Sequence, residues 1–303
     1  MFFDSRTRTY VTTSRASRDP KCGGWVPRDV CGSGCNCSEP GAQRAIAISQ
    51  SPNADLFDGR QRWRSWRSSV GTPQHQQYCG ISWPWGGIYL QMVMVYDALS
   101  NATEQRVHCR LQWSQDLHRW EFIEPTRDLI PLGASGSFDS HIIFAGSGVY
   151  STPEGERIYC ERRHRCATCR PNLWLDPPAL RTDMGGDGPH YGPRNSSLGL
   201  ATFRPSGFAG VGLASGAATG TLTTTTLTAG GGRLVLTADL AAGSVLSVSR
   251  SCVRRSCNET VQVKAGALTR SPLPFGSFAV GEPFTLTFML EGATTVLYTL
   301  GYE

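Results

Sequence analysis

The chain has 303 residues, of which 40% are hydrophobic, 10% aromatic and 17% charged, with 34 Gly and 18 Pro. That length can fill one large β domain or two smaller ones, and the Gly and Pro content points to many tight turns. The formal charge of +5 comes from scattered Arg; its densest cluster, Arg60, Arg62, Arg64 and Arg67, interleaves with Trp63 and Trp66. No recognised nucleic-acid module accompanies that cluster, so nucleic acid is not the expected partner, and no run approaches the ~18 apolar residues of a membrane span.

The opening MFFDSRTRTYVTT lacks the basic-then-apolar build of a signal peptide. Four Asn-X-Ser/Thr sequons, at Asn36, Asn101, Asn195 and Asn258, and eleven cysteines lean toward the secretory pathway and leave the localisation open. Eleven is odd, so at least one cysteine has no intramolecular disulfide partner. Cys22, Cys31, Cys35 and Cys37 crowd one loop without a familiar zinc spacing, and the Cys166–Cys169 pair has no second pair. Both groups read as disulfides or thiols, so no metal is expected. Cys252 and Cys257 flank a short turn and can staple a hairpin.

Residues 3–14 read as a turn and a strand centred on Tyr10 and Val11, and residues 20–41 as an aperiodic loop or insertion. A short alternating strand starts at Arg44. Residues 88–97, IYLQMVMVYD, carry the continuous apolar run of a strand covered on both faces. Residues 106–113 alternate, the turn Ser114–Trp120 follows, and Glu121–Ile123 resumes extended structure. Further strands are expected at His141–Phe144, Arg157–Glu161 and Ser196–Phe203, with 162–184 as an insertion showing neither period. Three Arg-led strands, at Arg44, Arg106 and Arg194, recur at roughly 60 residues once that insertion is set aside, the cadence of propeller blades.

After Phe208 Gly and Thr dominate. Short strands are expected at Thr221–Thr228, Arg233–Leu240, Ser244–Arg250, Val261–Ala265, Phe284–Glu291 and Thr295–Leu300. The expected fold is all-β: a partial β-propeller of about three four-stranded blades over 1–213, then an antiparallel β-sandwich over 214–303. An open set of blades exposes strand edges, which implies self-association.

Ser114-x-Asp116-Leu117-x-x-Trp120 resembles the S-x-D-L-x-x-W turn repeated in invertase, levansucrase and arabinanase-type hydrolases. The order FDS–strand–turn–ERIYC, then GGDGPHYGPRNSSLGLATFRPSGF, is similar to later blades of bacterial proteins of that type. The tail GTLTTTTL, GGGRLVLTADL and GSVLSV resembles the sandwich that follows their propeller. The resemblance spans about two-thirds of the chain. It implies a five-bladed propeller with a sugar site in the central funnel, using an Asp from the first blade, an Asp from the second and a Glu acid from the third. The W-x-N-D-P-N context of the first Asp and the E-C-P context of the Glu have no counterpart here, so the chain is expected to be shortened at its N-terminus. Arg18-Asp19-Pro20 matches the second-blade Arg-Asp-Pro but is expected beside the cysteine-rich loop rather than in a strand.

Glycoside cleavage needs one protonated carboxyl at the leaving oxygen and a second carboxylate across the sugar. By loop context the candidates are Asp139 and Asp187, each at a Gly-rich strand edge; each can equally close a turn. His190, Arg194 and His141 are candidate donors to sugar hydroxyls. Trp83 and Trp85, in Ser-Trp-Pro-Trp-Gly-Gly, are candidate stacking platforms, with core packing as the other reading. Asp116 and Trp120 are assigned to blade structure. G-x-S-x-G, HExxH and P-loop patterns are missing, and no cofactor is expected. The leading expectation is a carbohydrate-active protein acting on, or binding, an oligo- or polysaccharide. A non-catalytic binding module that has lost its acids, and a cysteine-stapled structural protein, are the alternatives.

Overall fold

The computed structural model describes residues 1–19, 24–27, 43–53, 64–70, 75–97, 106–134, 137–146, 148–165, 194–254, 257–276, 278–292 and 295–303. Every regular element among them is a β-strand, as the composition and turn pattern led one to expect. The chain divides into two compact units: Met1–Tyr150 with Arg157–Ala201, and Ser151–Glu156 with Thr202–Glu303.

Unit 1 is mostly antiparallel, and two of its strand groups are meanders, a topology found in propeller blades. In the first, β1 (Phe2–Asp4), β2 (Thr9–Asp19), β4 (Gln43–Ser51) and β5 (Arg64–Val70) lie side by side, with β3 (Gly24–Pro27) also on β2. The second runs β6 (His75–Trp85), β7 (Ile88–Asp97), β8 (Arg106–Ser114) and β9 (Glu121–Phe122). A third group is not a meander: in it β12 (Gly155–Arg165) pairs β10 (Ile142–Ala145), β11 (Tyr150–Thr152) and β13 (Arg194–Phe203), and its stretch Ser151–Glu156 and residues 202–203 fall in unit 2. It joins the second through one parallel pairing, Ile142 opposite Val107.

Burial explains the strands. On β4, Ala45, Ile46, Ala47 and Ile48 are all buried, so the small residues pack one face and the large ones the other. Ile46 clusters with Val93 and Val95 of β7, and Phe122 closes over them. β7 is buried on both faces from Tyr89 to Val95, as its unbroken apolar run requires. Three expectations need correction. The 20–41 stretch is not wholly loop, because β3 pairs Trp25 with Arg18 and Gly24 with Asp19. For the same reason Arg18 and Asp19 end a strand, β2, which the expectation of a place beside the cysteine-rich loop had not given them. Strand β12 also runs on into the segment taken as an insertion, to Arg165.

Unit 2 is an antiparallel sandwich. One sheet orders β14 (Val211–Gly212), β22 (Thr295–Tyr302), β17 (Leu234–Leu240) and β20 (Gly266–Pro272). The other orders β15 (Thr219–Thr223), β21 (Pro283–Glu291), β18 (Val245–Cys252) and β19 (Asn258–Val263), with β16 (Leu227–Thr228) also on β21. Inward residues alternate along β18 and β21, and Leu236, Leu246, Val248, Phe284, Leu286 and Phe288 form one apolar core. The expected strand Thr221–Thr228 is two: Thr224 leaves the ladder to bond Leu286 through both its N–H and its hydroxyl. β19 begins earlier than expected, and β20 was not foreseen. A disulfide joins Cys252 and Cys257 across the β18–β19 turn, with Cα atoms 5.3 Å apart.

Candidate functional site

Asp139 lies in a turn that leads into β10. Its Oδ1 accepts a 2.7 Å bond from the Ser137 hydroxyl, which also lies 2.7 Å from the Ala134 carbonyl. The Gly133 N–H donates to the Asp139 carbonyl at 3.2 Å. A side chain at Gly133 would come within 1.9 Å of Asp139 Oδ1, so the absence of a Cβ there makes room for the carboxylate. His141 is adjacent, its Nδ1 2.8 Å from the Ser140 hydroxyl, and its carbonyl accepts from the Val107 N–H at 3.0 Å. The turn therefore brings Asp139 and His141 together where β10 runs beside β8.

Two residues into β8 begins a half-buried polar group that sequence reasoning missed. Asp128 is held by His108 (Nδ1–Oδ2 3.1 Å) and by Arg110 (Nε–Oδ1 3.2 Å), and Arg110 also donates to the Pro125 carbonyl. Burial raises the Asp128 pKa, but the bonds and charges of His108 and Arg110 outweigh it and hold the carboxyl below its usual range. His-x-Arg on an alternating strand was the available signal; its partner carboxylate is 20 residues away from His108.

Trp83 and Trp85 share one face of β6, two residues apart. Trp83 is buried and Trp85 half-buried. Trp85 abuts the two-residue hairpin Gly86-Gly87, whose φ of 56° and 107° suit a primed turn that only glycine enters without strain. The Gly87 carbonyl accepts from Arg6 at 2.7 Å, and the Arg6 guanidinium lies 4.0 Å from the centre of the Tyr89 ring. Tyr89 donates at 2.5 Å to Asp4, which is 2% exposed and also bonded by the Thr7 hydroxyl and the Arg6 N–H. Burial alone would push the Asp4 carboxyl up; the bonds from Thr7, Tyr89 and Arg6 bring it below the ordinary value. Burial and the Asp4 carboxylate push the Tyr89 phenol up.

The Ser114–Trp120 turn is a closed set of local bonds. Asp116 Oδ1 accepts from the N–H groups of His118 (2.8 Å) and Arg119 (2.9 Å), and the Ser114 hydroxyl accepts from the Leu117 N–H (2.9 Å). Trp120 Nε1 donates to the Leu117 carbonyl at 2.7 Å. The Arg119 N–H is the largest influence on Asp116 and lowers its pKa. Leu117, at a φ of 67°, is driven into the interior, where it packs with Val11, Ile48 and Tyr89.

Asp187 and His190 lie outside the described residues, and Arg194 is described only as the first residue of β13. A further acid missed in the sequence belongs to unit 2. Glu156, 5% exposed, accepts from the Ser151 hydroxyl at 2.5 Å and from the Ser206 N–H at 3.4 Å. Among the described residues no cluster of three or more His, Cys, Asp or Glu is placed to hold a metal, and no helix is long and apolar enough to cross a membrane. Unit 2 has a cavity of about 180 Å³ whose lining includes Leu236, Val263, Leu268 and Leu273 with Gln262 and Lys264.

No protein-family model and no curated protein matches the chain. Among solved structures, a GH32 β-fructofuranosidase from Bombyx mori, BmSUC1, aligns over 97% of this chain and 77% of its own, at 9% identity and a TM-score of 0.34. An exo-β-1,3-galactanase from Phanerochaete chrysosporium aligns over 98% of this chain and 80% of its own, at 8% identity and a TM-score of 0.22.

Proposed function

We propose that the chain is a carbohydrate-active protein of the propeller glycoside-hydrolase type, taking an oligo- or polysaccharide into the funnel of unit 1. The observation that carries this reading is the Ser114–Trp120 turn. The residues that resemble the family's recurrent turn are the ones whose hydrogen bonds close it at the end of a blade-like meander. In this reading Asp139 and Asp187 are the paired carboxylates. One, protonated, donates to the leaving glycosidic oxygen; the other attacks the anomeric carbon or activates water. A separation of ~5–5.5 Å would give retention and ~6.5–9.5 Å inversion. His141, His190 and Arg194 donate to sugar hydroxyls, and Trp85, with Trp83 on the same strand face, offers a ring face to sugar C–H groups.

A specific observation favours a second reading, a binding module without catalysis: the Asp139 carboxylate is already engaged by Ser137 and set against Gly133. A panel of fructosides, arabinosides and galactosides separates the two. Under hydrolysis, Asp139→Asn lowers turnover by about 10²–10⁴-fold and leaves glycan binding measurable by calorimetry. Under binding alone, the unaltered chain binds a glycan and releases no reducing sugar. A chain that neither binds nor cleaves any member of the panel contradicts both.

A further inference from the structure

The outward face of the β15–β21–β18–β19 sheet carries hydroxyls in register. Thr223, Thr287, Ser249 and Thr260 form one row across all four strands, with Oγ1–Oγ1 of 3.3 Å between Thr223 and Thr287 and Oγ–Oγ1 of 2.8 Å between Ser249 and Thr260. In the next row Ser251 stands opposite Asn258 and donates to its Oδ1 at 3.1 Å. Asn258 opens the sequon Asn258-Glu259-Thr260. On β19 the exposed positions alternate with half-buried ones, so Asn258 and Thr260 point to the same solvent face, while Glu259 pairs with the buried Arg250 at 2.7 Å. Among the described residues, β19 ends its sheet and is bonded to a strand on one side only. The turn before it is closed by the Cys252–Cys257 disulfide, a bond that forms in the same oxidising compartments where sequons are read.

We propose that Asn258 is an N-glycan acceptor and that its glycan covers the hydroxyl rows and the free edge of β19. The Ser251 bond uses Asn258 Oδ1 and leaves the amide Nδ2 as the attacking atom. The donor is a lipid-linked oligosaccharyl diphosphate acted on by the host transferase. A bond forms from Nδ2 to the sugar C1, the bond from C1 to the diphosphate oxygen breaks, and one amide proton leaves with the lipid diphosphate. A bulky, hydrated group at this point blocks strand addition at an edge that no described strand pairs. The uncharged hydroxyls beside it offer donors and acceptors matched to sugar hydroxyls.

The test uses the full chain directed into the secretory pathway of a eukaryotic cell, with site-resolved peptide mapping after amidase deglycosylation in heavy-isotope water. The Asn258 peptide is expected to carry the Asn-to-Asp mass mark. Asn258→Gln and Thr260→Ala should each lose it, and Thr260→Ser, which preserves the hydroxyl, should keep it. Met289, 46% exposed and opposite Ser247 on the same face, should oxidise more slowly in the glycosylated chain than in Asn258→Gln. A secreted chain with Cys252–Cys257 formed and Asn258 unmodified overturns the proposal. Equal Met289 oxidation with and without the glycan overturns the covering of the face.

Discussion

Unit 1 keeps polar groups in its interior, where unit 2 is filled with hydrocarbon. Between the first two meanders of unit 1, Gln91 donates to Ser82, and Ser82 accepts from Thr13, with Gln91 fully buried. Arg44 reaches from β4 to Gln76 on β6 while lying over the rings of Tyr78 and Tyr96, and Asp4 is tied to Tyr89. In unit 2 the core cluster is mostly Leu, Val and Phe, and among its few buried polar side chains Arg250 is held by Glu259 and set over Phe278. The sandwich thus draws its stability from apolar area removed from water, which tolerates changes of shape. The meanders depend on particular partners, and removing one leaves the other unsatisfied in a low-dielectric interior.

The largest effect should come from opening the apolar core. Phe284→Ala is expected to destabilise unit 2 by about 3–5 kcal/mol, read as lost hydrogen-exchange protection along β21. All eight Trp precede residue 175 and lie within the span of unit 1, so Trp fluorescence reports that unit alone. If the two units behave independently, the Trp transition stays in place in this variant.

Tyr89→Phe sharpens the other side of the comparison. It removes a hydrogen bond to a buried carboxylate, worth about 1.5–3 kcal/mol, and should lower the Trp transition while β21 protection is unchanged. Replacing Cys252 and Cys257 by Ala should cost about 2 kcal/mol of unit 2 stability, seen as faster exchange in β18 and β19.

Acid should separate the units next. The described carboxylates held below their usual range, Asp4, Asp116 and Asp128, all belong to unit 1. A pKa lower in the folded than in the unfolded chain gives stability that is present above the unfolded value, about 3.9 for Asp, and lost as pH falls through the folded one. The Trp transition should therefore weaken below about pH 4. At alkaline pH, above about 10, raised phenols cost stability in both units, Tyr89 in unit 1 and Tyr298 and Tyr302 in unit 2.

The strands were legible where local pattern and tertiary burial agree. Ile88–Asp97 was read to its bounds because a strand covered on both faces needs an unbroken apolar run. β6 was missed because HQQYCGISWPW shows no alternation and carries Pro84, and β20 because GALTRSP is an exposed edge with little to bury. A uniform run of Thr hid the break between β15 and β16, which depends on Thr224 bonding Leu286, 62 residues away. The site divides in the same way. The Asp116 turn was readable because its partners are within three residues. Asp4 with Tyr89, His108 with Asp128 and Glu156 with Ser206 are joined across 85, 20 and 50 residues, where no local pattern reports them.

The most direct test of the central reading is product release from a glycoside panel by the unaltered chain beside Asp139→Asn and Asp187→Asn. The propeller-hydrolase account predicts turnover on at least one glycan and a fall of about 10²–10⁴-fold in each variant, with the Trp transition unmoved. Turnover equal in all three chains would remove Asp139 and Asp187 from the chemistry and contradict it.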